Sequence, residues 1–236
     1  IGTYELPSLS RLNRTGDLSI HKESMIKHLK SAILISVPFS VVIFFLREPI
    51  VNVLLGRGAF DGTSEKITSG ILAGYALAIV GQGIVFISLR FFLSMKYVRY
   101  PAAAVIFASV VNIALDALLI RMIGYSGLGF GAAAGGTAGG IIMLLILNRK
   151  TNGLVRHNLG YFLRILASCA AMIPAASGIR LIWSGQPGLN GTWIGMIYIG
   201  LAFIVLGLIY LTVLRVFGIR FSLKQWLGKR IIVRKE

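Results

Sequence analysis

The chain is poor in acid, sulfur and histidine. Only 8 Asp and Glu stand against 24 Lys and Arg in 236 residues, with 1 cysteine and 3 histidines. The lone Cys169 lies in an apolar run, which excludes a disulfide framework or a cysteine metal cluster within this chain and leaves the redox compartment unread. His21, His28 and His157 fall in polar connections, none with an acidic neighbour at metal-ligand or triad spacing inside an apolar run. Nothing converges on a catalytic centre, and the chain does not read as an enzyme.

What is abundant is apolar. Hydrophobic residues make up 56% of the chain, charged ones 14%, and mean hydropathy is +0.81, far from an ordinary soluble domain. A bilayer core of about 30 Å is crossed by roughly 20 apolar residues in a helix, because the backbone there must satisfy its own hydrogen bonds. Six such runs are predicted at 31–56, 69–93, 102–123, 125–147, 161–183 and 191–217. The expected fold is therefore all-α: a polytopic membrane helix bundle of six transmembrane helices.

A net charge of +16 would suit nucleic acid, but the cations are parcelled by loop and form no single basic surface, so no nucleic-acid partner is expected. Most lie before the first run, between the second and third, between the fourth and fifth, or after the sixth. Only Arg47, Arg57, Lys66, Arg121 and Arg180 fall on the other side. The positive-inside rule then places both ends of the chain in the cytoplasm, as an even number of spans requires. The C-terminal Arg215–Lys235 cluster, with Trp226, is expected to lie on anionic headgroups. The sequence starts at Ile1, not Met, without a signal-peptide pattern, and reads as a piece of a longer protein.

Local signals refine the picture. Pro7 breaks, 11–17 is polar, and Leu18, Met25, Ile26 and Leu29 recur at near-helical spacing, either as an interfacial helix or as part of a plain linker. Pro38 and Pro174 each remove a backbone donor inside a span and predict kinks. Gly56–Asp61 reads as a turn, with Thr63 or Ser64 available to cap the next helix. Gly124–Gly127 is too short for anything but a tight helical hairpin. The fourth span carries Gly131, Gly135 and Gly139, and Gly136 with Gly140, at the spacing that lets membrane helices approach closely. A dinucleotide loop would need a preceding strand and a later acid, and neither is present.

One carboxylate stands apart. Asp116 lies within the third span, where burying its charge costs roughly 2.5–3.5 kcal/mol on insertion scales. Asn112 is one turn earlier on the same face, so together they offer two oxygen donors. Three readings stay open: a hard-cation site completed by backbone carbonyls, a protonated carboxyl acting as proton carrier, and hydrogen bonds that merely join helices. Arg90, at the end of the second span, either binds a lipid phosphate or snorkels to the interface.

Leu6–Arg11, Gly16–Leu18, Pro38, Glu48–Ile50 and Leu54–Asp61 come in an order and spacing that resemble the C-terminal half of the MurJ/MviN lipid II flippases. The likeness continues through Tyr75–Leu77, Arg90–Leu93, Arg99–Pro101, Val111–Asp116 and Gly124–Gly129, and covers roughly 1–165. The resemblance implies the fold of the multidrug/oligosaccharidyl-lipid/polysaccharide (MOP) exporter superfamily, in which two lobes enclose a cavity and two further helices form a lipid-facing groove. On that reading 1–30 ends a preceding helix and forms a cytoplasmic connection, and 31–150 is the four-helix portion of the second lobe. Residues 151–217 are the two additional C-terminal helices, and 218–236 a basic cytoplasmic tail.

The implied activity is flipping of the lipid-linked peptidoglycan precursor lipid II across the bacterial inner membrane by alternating access. It would serve cell-wall synthesis and cell shape, with membrane lipids and a missing N-terminal lobe as partners and no cofactor beyond possible sodium or proton coupling. The family's sodium site implies ligands at Asn112 and Asp116, a backbone carbonyl near Leu128, and a threonine at the position of Ala132, where this chain has no hydroxyl. The resemblance leaves open a polysaccharide or drug exporter of the same superfamily, or a nontransporting membrane fragment or scaffold.

Overall fold

The computed structural model describes residues 18–94, 97–150, 157–184 and 193–219. The chain there runs α1 (Leu18–Phe45), α2 (Arg47–Leu55), α3 (Gly62–Ser94), α4 (Arg99–Ile123), a 3₁₀ turn (Gly124–Ser126), α5 (Gly127–Lys150), α6 (Leu159–Ala170), α7 (Ile173–Ser184) and α8 (Trp193–Val216). Among the described residues the fold is all helical. Five segments are long and apolar enough to cross a membrane, and one of them, the 51-residue Arg99–Arg149, is folded back at Gly124–Ser126 into α4 and α5. That makes six crossings. Gly124 has φ +70°, a conformation that side chains resist, which permits the expected hairpin.

Two expected spans are each two helices, and proline is the reason. A proline has no N–H for the carbonyl four residues before it, and its ring crowds that carbonyl. Pro49 would address Phe45, where α1 ends; Pro174 would address Ala170, where α6 ends. The 31–56 and 161–183 runs are thus broken at Leu46 and at Ala171–Met172. Arg47 Nη1 donates to the carbonyl of Phe44 at 2.7 Å, tying off the break. Pro38 does not interrupt α1. The carbonyl it leaves free, on Leu34, accepts a 2.8 Å hydrogen bond from the hydroxyl of Tyr210 on α8, with both groups buried.

Two further findings concern helix starts. Residues 18–30 are helical and continuous with the first span, which decides for a helix over a plain linker there, and Met25, Ile26 and Leu29 are buried. The second span begins at Gly62, and its cap is Asp61, whose carboxylate accepts from the Ser64 N–H at 2.8 Å, not Thr63 or Ser64. The resembling stretch at 1–17 and the basic tail at 220–236 lie outside the described residues.

Helix α5 sits between α3 and α4 and shows glycine to both. On one side Gly129 and Gly136 meet Gly74 and Gly81 of α3 backbone to backbone; on the other Gly131, Gly135 and Gly139 meet Asp116, Asn112 and Ala108 of α4. These contacts run parallel for α3 and α5, and antiparallel for α4 and α5. A second core joins α1 to α6, α7 and α8 through Leu29, Leu34, Val42, Leu46, Ile165, Met172, Leu206 and Tyr210.

Three outcomes follow from this packing. A methyl at Gly81 would fall on the backbone of Gly136 and Thr137, so Gly81→Ala is expected to cost about 1–3 kcal/mol, read as thermal unfolding in detergent. Gly207→Ala, with open space around it, is the near-neutral control. Tyr210→Phe orphans the Leu34 carbonyl and is expected to cost about 1–3 kcal/mol; in a Pro38→Ala background, which restores the intrahelical donor, the cost should shrink. The Ser64 N–H, and then its hydroxyl, hold the exposed Asp61 carboxyl below the usual range. Its contribution to α3 is therefore present at neutral pH and lost as pH falls through that depressed value, so Asp61→Ala should speed amide exchange in the first turn at pH 7 but not in strong acid.

Candidate functional site

Asn112 and Asp116 are one turn apart on α4 and both face α5. A Cβ built on Gly135 would lie 2.8 Å from Asn112 Cβ, and one built on Gly131 would fall on Asp116 Oδ1. The two glycines are thus the floor on which the two oxygen-bearing side chains rest. Asp116 Oδ1 is buried and has no hydrogen-bond partner among the described residues. Among the described residues no hydrogen bond joins Asp116 Oδ1 to Asn112 or to a neighbouring helix. About seven residues separate Asp116 from the Ile123 end of α4, or roughly 10 Å, so the group lies inside the span.

A buried acceptor without a donor costs about 1–3 kcal/mol, more when charged, which makes it a candidate for a role. A cation or a proton is what an orphaned carboxyl oxygen takes. The donor set fits in part: Asn112 and Asp116 both pack on the α5 side of α4, and Leu128 is a partly buried residue of α5, one turn before Ala132. Ala132 itself is buried in a cluster with Ala78 and Ala133 between α3 and α5, and offers no side-chain oxygen. The α5 residue packed on Asp116 is Gly131, with Gly135 on Asn112, whereas Ala132 faces Ala78 of α3. Among the described residues no group of three or more His, Cys, Asp or Glu gathers for a metal.

Arg90 belongs to a different place. Successive α3–α5 contacts put Asp116 level with the middle of α3, so Arg90 lies about 20 Å away along the bundle. Its guanidinium sits 4.1 Å over the ring of Phe86, one turn deeper into α3, in line with the tilt of helical side chains toward the N-terminus. One of its nitrogens, Nη1, is buried with no hydrogen-bond partner among the described residues.

A family model described as lipid II flippase MurJ matches residues 1–209. The chain belongs to the MurJ family. Among curated relatives, it is 23% identical over 196 residues to the lipid II flippase MurJ of Burkholderia cenocepacia, covering 83% of this chain and 37% of that one. It is 30% identical over 150 residues to the probable lipid II flippase MurJ of Thermotoga maritima, covering 61% and 30%. With the Buchnera aphidicola protein of the same description the match extends over 226 residues at 24% identity, covering 93% and 43%. A solved structure described as lipid II flippase MurJ, inward closed conformation, superposes with a TM-score of 0.64 at 23% identity, covering 86% of this chain and 41% of that one. This chain thus spans less than half the length of these MurJ relatives, and the likeness in structure is a likeness of fold.

Sequence reading missed the α3 half of the glycine interface, although Gly70 and Gly74 stand four apart and Gly81 is two turns on. It also left Glu48 and Arg180 as unconnected interface charges. The structure brings them together as a two-point ion pair, at 2.6 and 3.1 Å.

If Asp116 were there to hold helices together, removing it would weaken the bundle. An orphaned acceptor predicts the opposite: Asp116→Leu should leave the unfolding temperature in detergent unchanged or raise it, by up to about 3 kcal/mol of stability.

Proposed function

We propose that the chain is the C-terminal portion of a lipid II flippase of the bacterial inner membrane, which moves the lipid-linked peptidoglycan precursor by alternating access. The observation that carries the reading is the family match over residues 1–209, joined to a fold in which six crossings alternate in direction. Helices α1–α5 then form part of the second lobe, and α6–α8 the additional C-terminal pair. The first lobe, with its own share of the substrate cavity, is the partner this segment requires. The charge distribution of the connections supports cytoplasmic placement of both ends. Transport by rocking lobes breaks no bond in the substrate, consistent with the scarcity of acid–base groups in the spans.

In this reading Asp116 is the coupling group. A carboxyl pressed against Gly131 without a donor has two states of different cost, bare or neutralised by a bound cation or proton. An ion that binds one lobe arrangement better than the other shifts the balance between them by that difference in affinity. Asn112 supports the site by offering a second oxygen.

The test is lipid II translocation in vesicles by the full-length protein that contains this segment. The reading expects transport of lipid II in preference to other polyprenyl-linked glycans, and loss of its dependence on a sodium or proton gradient in Asp116→Asn. Equal transport of unrelated glycans would point to a general exporter, and an unchanged gradient dependence in the variant would remove Asp116 from coupling.

A further inference from the structure

Three polar contacts at three depths join the C-terminal helices to the first span. Near the end where α6 starts, the Lys30 ammonium lies 5.0 Å over the ring of Tyr161. Within the span, the Tyr210 hydroxyl meets the carbonyl freed by Pro38. At the far end Arg180 of α7 grips Glu48 of α2, Nη2 to Oε1 at 2.6 Å and Nε to Oε2 at 3.1 Å. The first two are a cation over a ring and a neutral hydrogen bond. The third is a two-point charge-assisted pair, the geometry in which guanidinium and carboxylate hold best.

Beside that pair, Val53 of α2 and Trp183 of α7 are buried together, with Met196, Tyr198 and Ile199 of α8 packed on them. The Tyr198 hydroxyl donates to the Ile179 carbonyl at 2.7 Å, binding α8 to the turn of α7 that carries Arg180. Val53, Met196 and Ile199 also line an apolar groove of about 430 Å³ that continues along Ile50, Gly200 and Phe203. One wall of this groove is α2 and another is α8. The two walls are far apart in the chain, with 137 residues (56–192) between α2 and α8, so their separation is set by packing and polar contacts.

We propose that the Glu48–Arg180 pair is a latch that ties the C-terminal helices to α2 and sets how widely the groove between α2 and α8 opens. Both side chains are 38% exposed, so the pair is neither locked in a dry core nor lost to bulk water, and it is weak enough to break within a working cycle. Arg47, 3.7 Å from the same Glu48 oxygen, is positioned to take over the carboxylate when Arg180 leaves, keeping the opened state free of a stranded charge. The first break in the helical run, at Leu46, puts this end of the wall on its own short helix, α2.

The latch holds or fails whether or not lipid II is the cargo. Its test is a nitroxide on Gly200→Cys, a groove position with open space for a side chain, in the full-length protein in lipid with its other cysteines, Cys169 among them, changed to Ala. The expected spectrum has a confined and a mobile component. In Glu48→Gln or Arg180→Gln the ratio of mobile to confined signal should rise roughly two- to fivefold, the shift a half-exposed pair can produce. Both substitutions together should do no more than either one, and Arg180→Lys should recover part of the closed signal. Additive effects, or one spectrum in all variants, would overturn the proposal. Where a variant fails to assemble, raising salt on the protein with Glu48 and Arg180 intact reads the same equilibrium, and an unchanged ratio counts against the latch.

Discussion

In a bilayer, helices gain little by hiding apolar surface from each other, because the lipid is as apolar as they are; how closely two backbones approach decides how firmly they hold. Helix α5 depends on this more than any other element. Its glycines let α3 come in on one side and α4 on the other until backbone meets backbone. The same absence of side chains that permits the approach on the α4 side leaves room there for Asn112 and Asp116. Packing and candidate site are therefore one arrangement: Asp116 Oδ1 occupies the space that a Cβ on Gly131 would fill.

Backbone satisfaction is the second constraint. Each proline in a span leaves a carbonyl without its intrahelical donor, and the chain answers in two ways. At Pro49 and Pro174 the helix ends at the carbonyl concerned. At Pro38 the helix continues, and a tyrosine from α8 supplies the missing hydrogen bond. That contact and the ion pair at Glu48 and Arg180 add polar ties to the apolar core through which α1 already holds the C-terminal helices.

The spans were legible because a run of some 20 apolar residues has one meaning in a chain of this composition. The break before Pro174 was legible as a proline kink, but the one before Pro49 was not, although its signal was present: hydropathy is blind to a missing N–H, and a proline acts on a carbonyl four residues upstream of itself. The pairing of Asn112 with Asp116 was readable from their spacing. Which side of α5 they meet was not, since residues 131 and 132 point about 100° apart around the helix. So Ala132, where the resemblance implied a ligand, lies buried with Ala78, while Gly131 meets the carboxylate. Contacts such as Glu48 with Arg180 join residues 132 positions apart and carry no local pattern at all.

The central proposal is that Asp116, packed on Gly131, exchanges a cation or a proton. Infrared difference spectroscopy of the full-length protein in lipid reads that carboxyl group directly. The account predicts a carboxyl or carboxylate band that shifts on adding sodium or on changing pH and is missing from the Asp116→Asn protein. A spectrum in which no band assigned to Asp116 responds to either would contradict it.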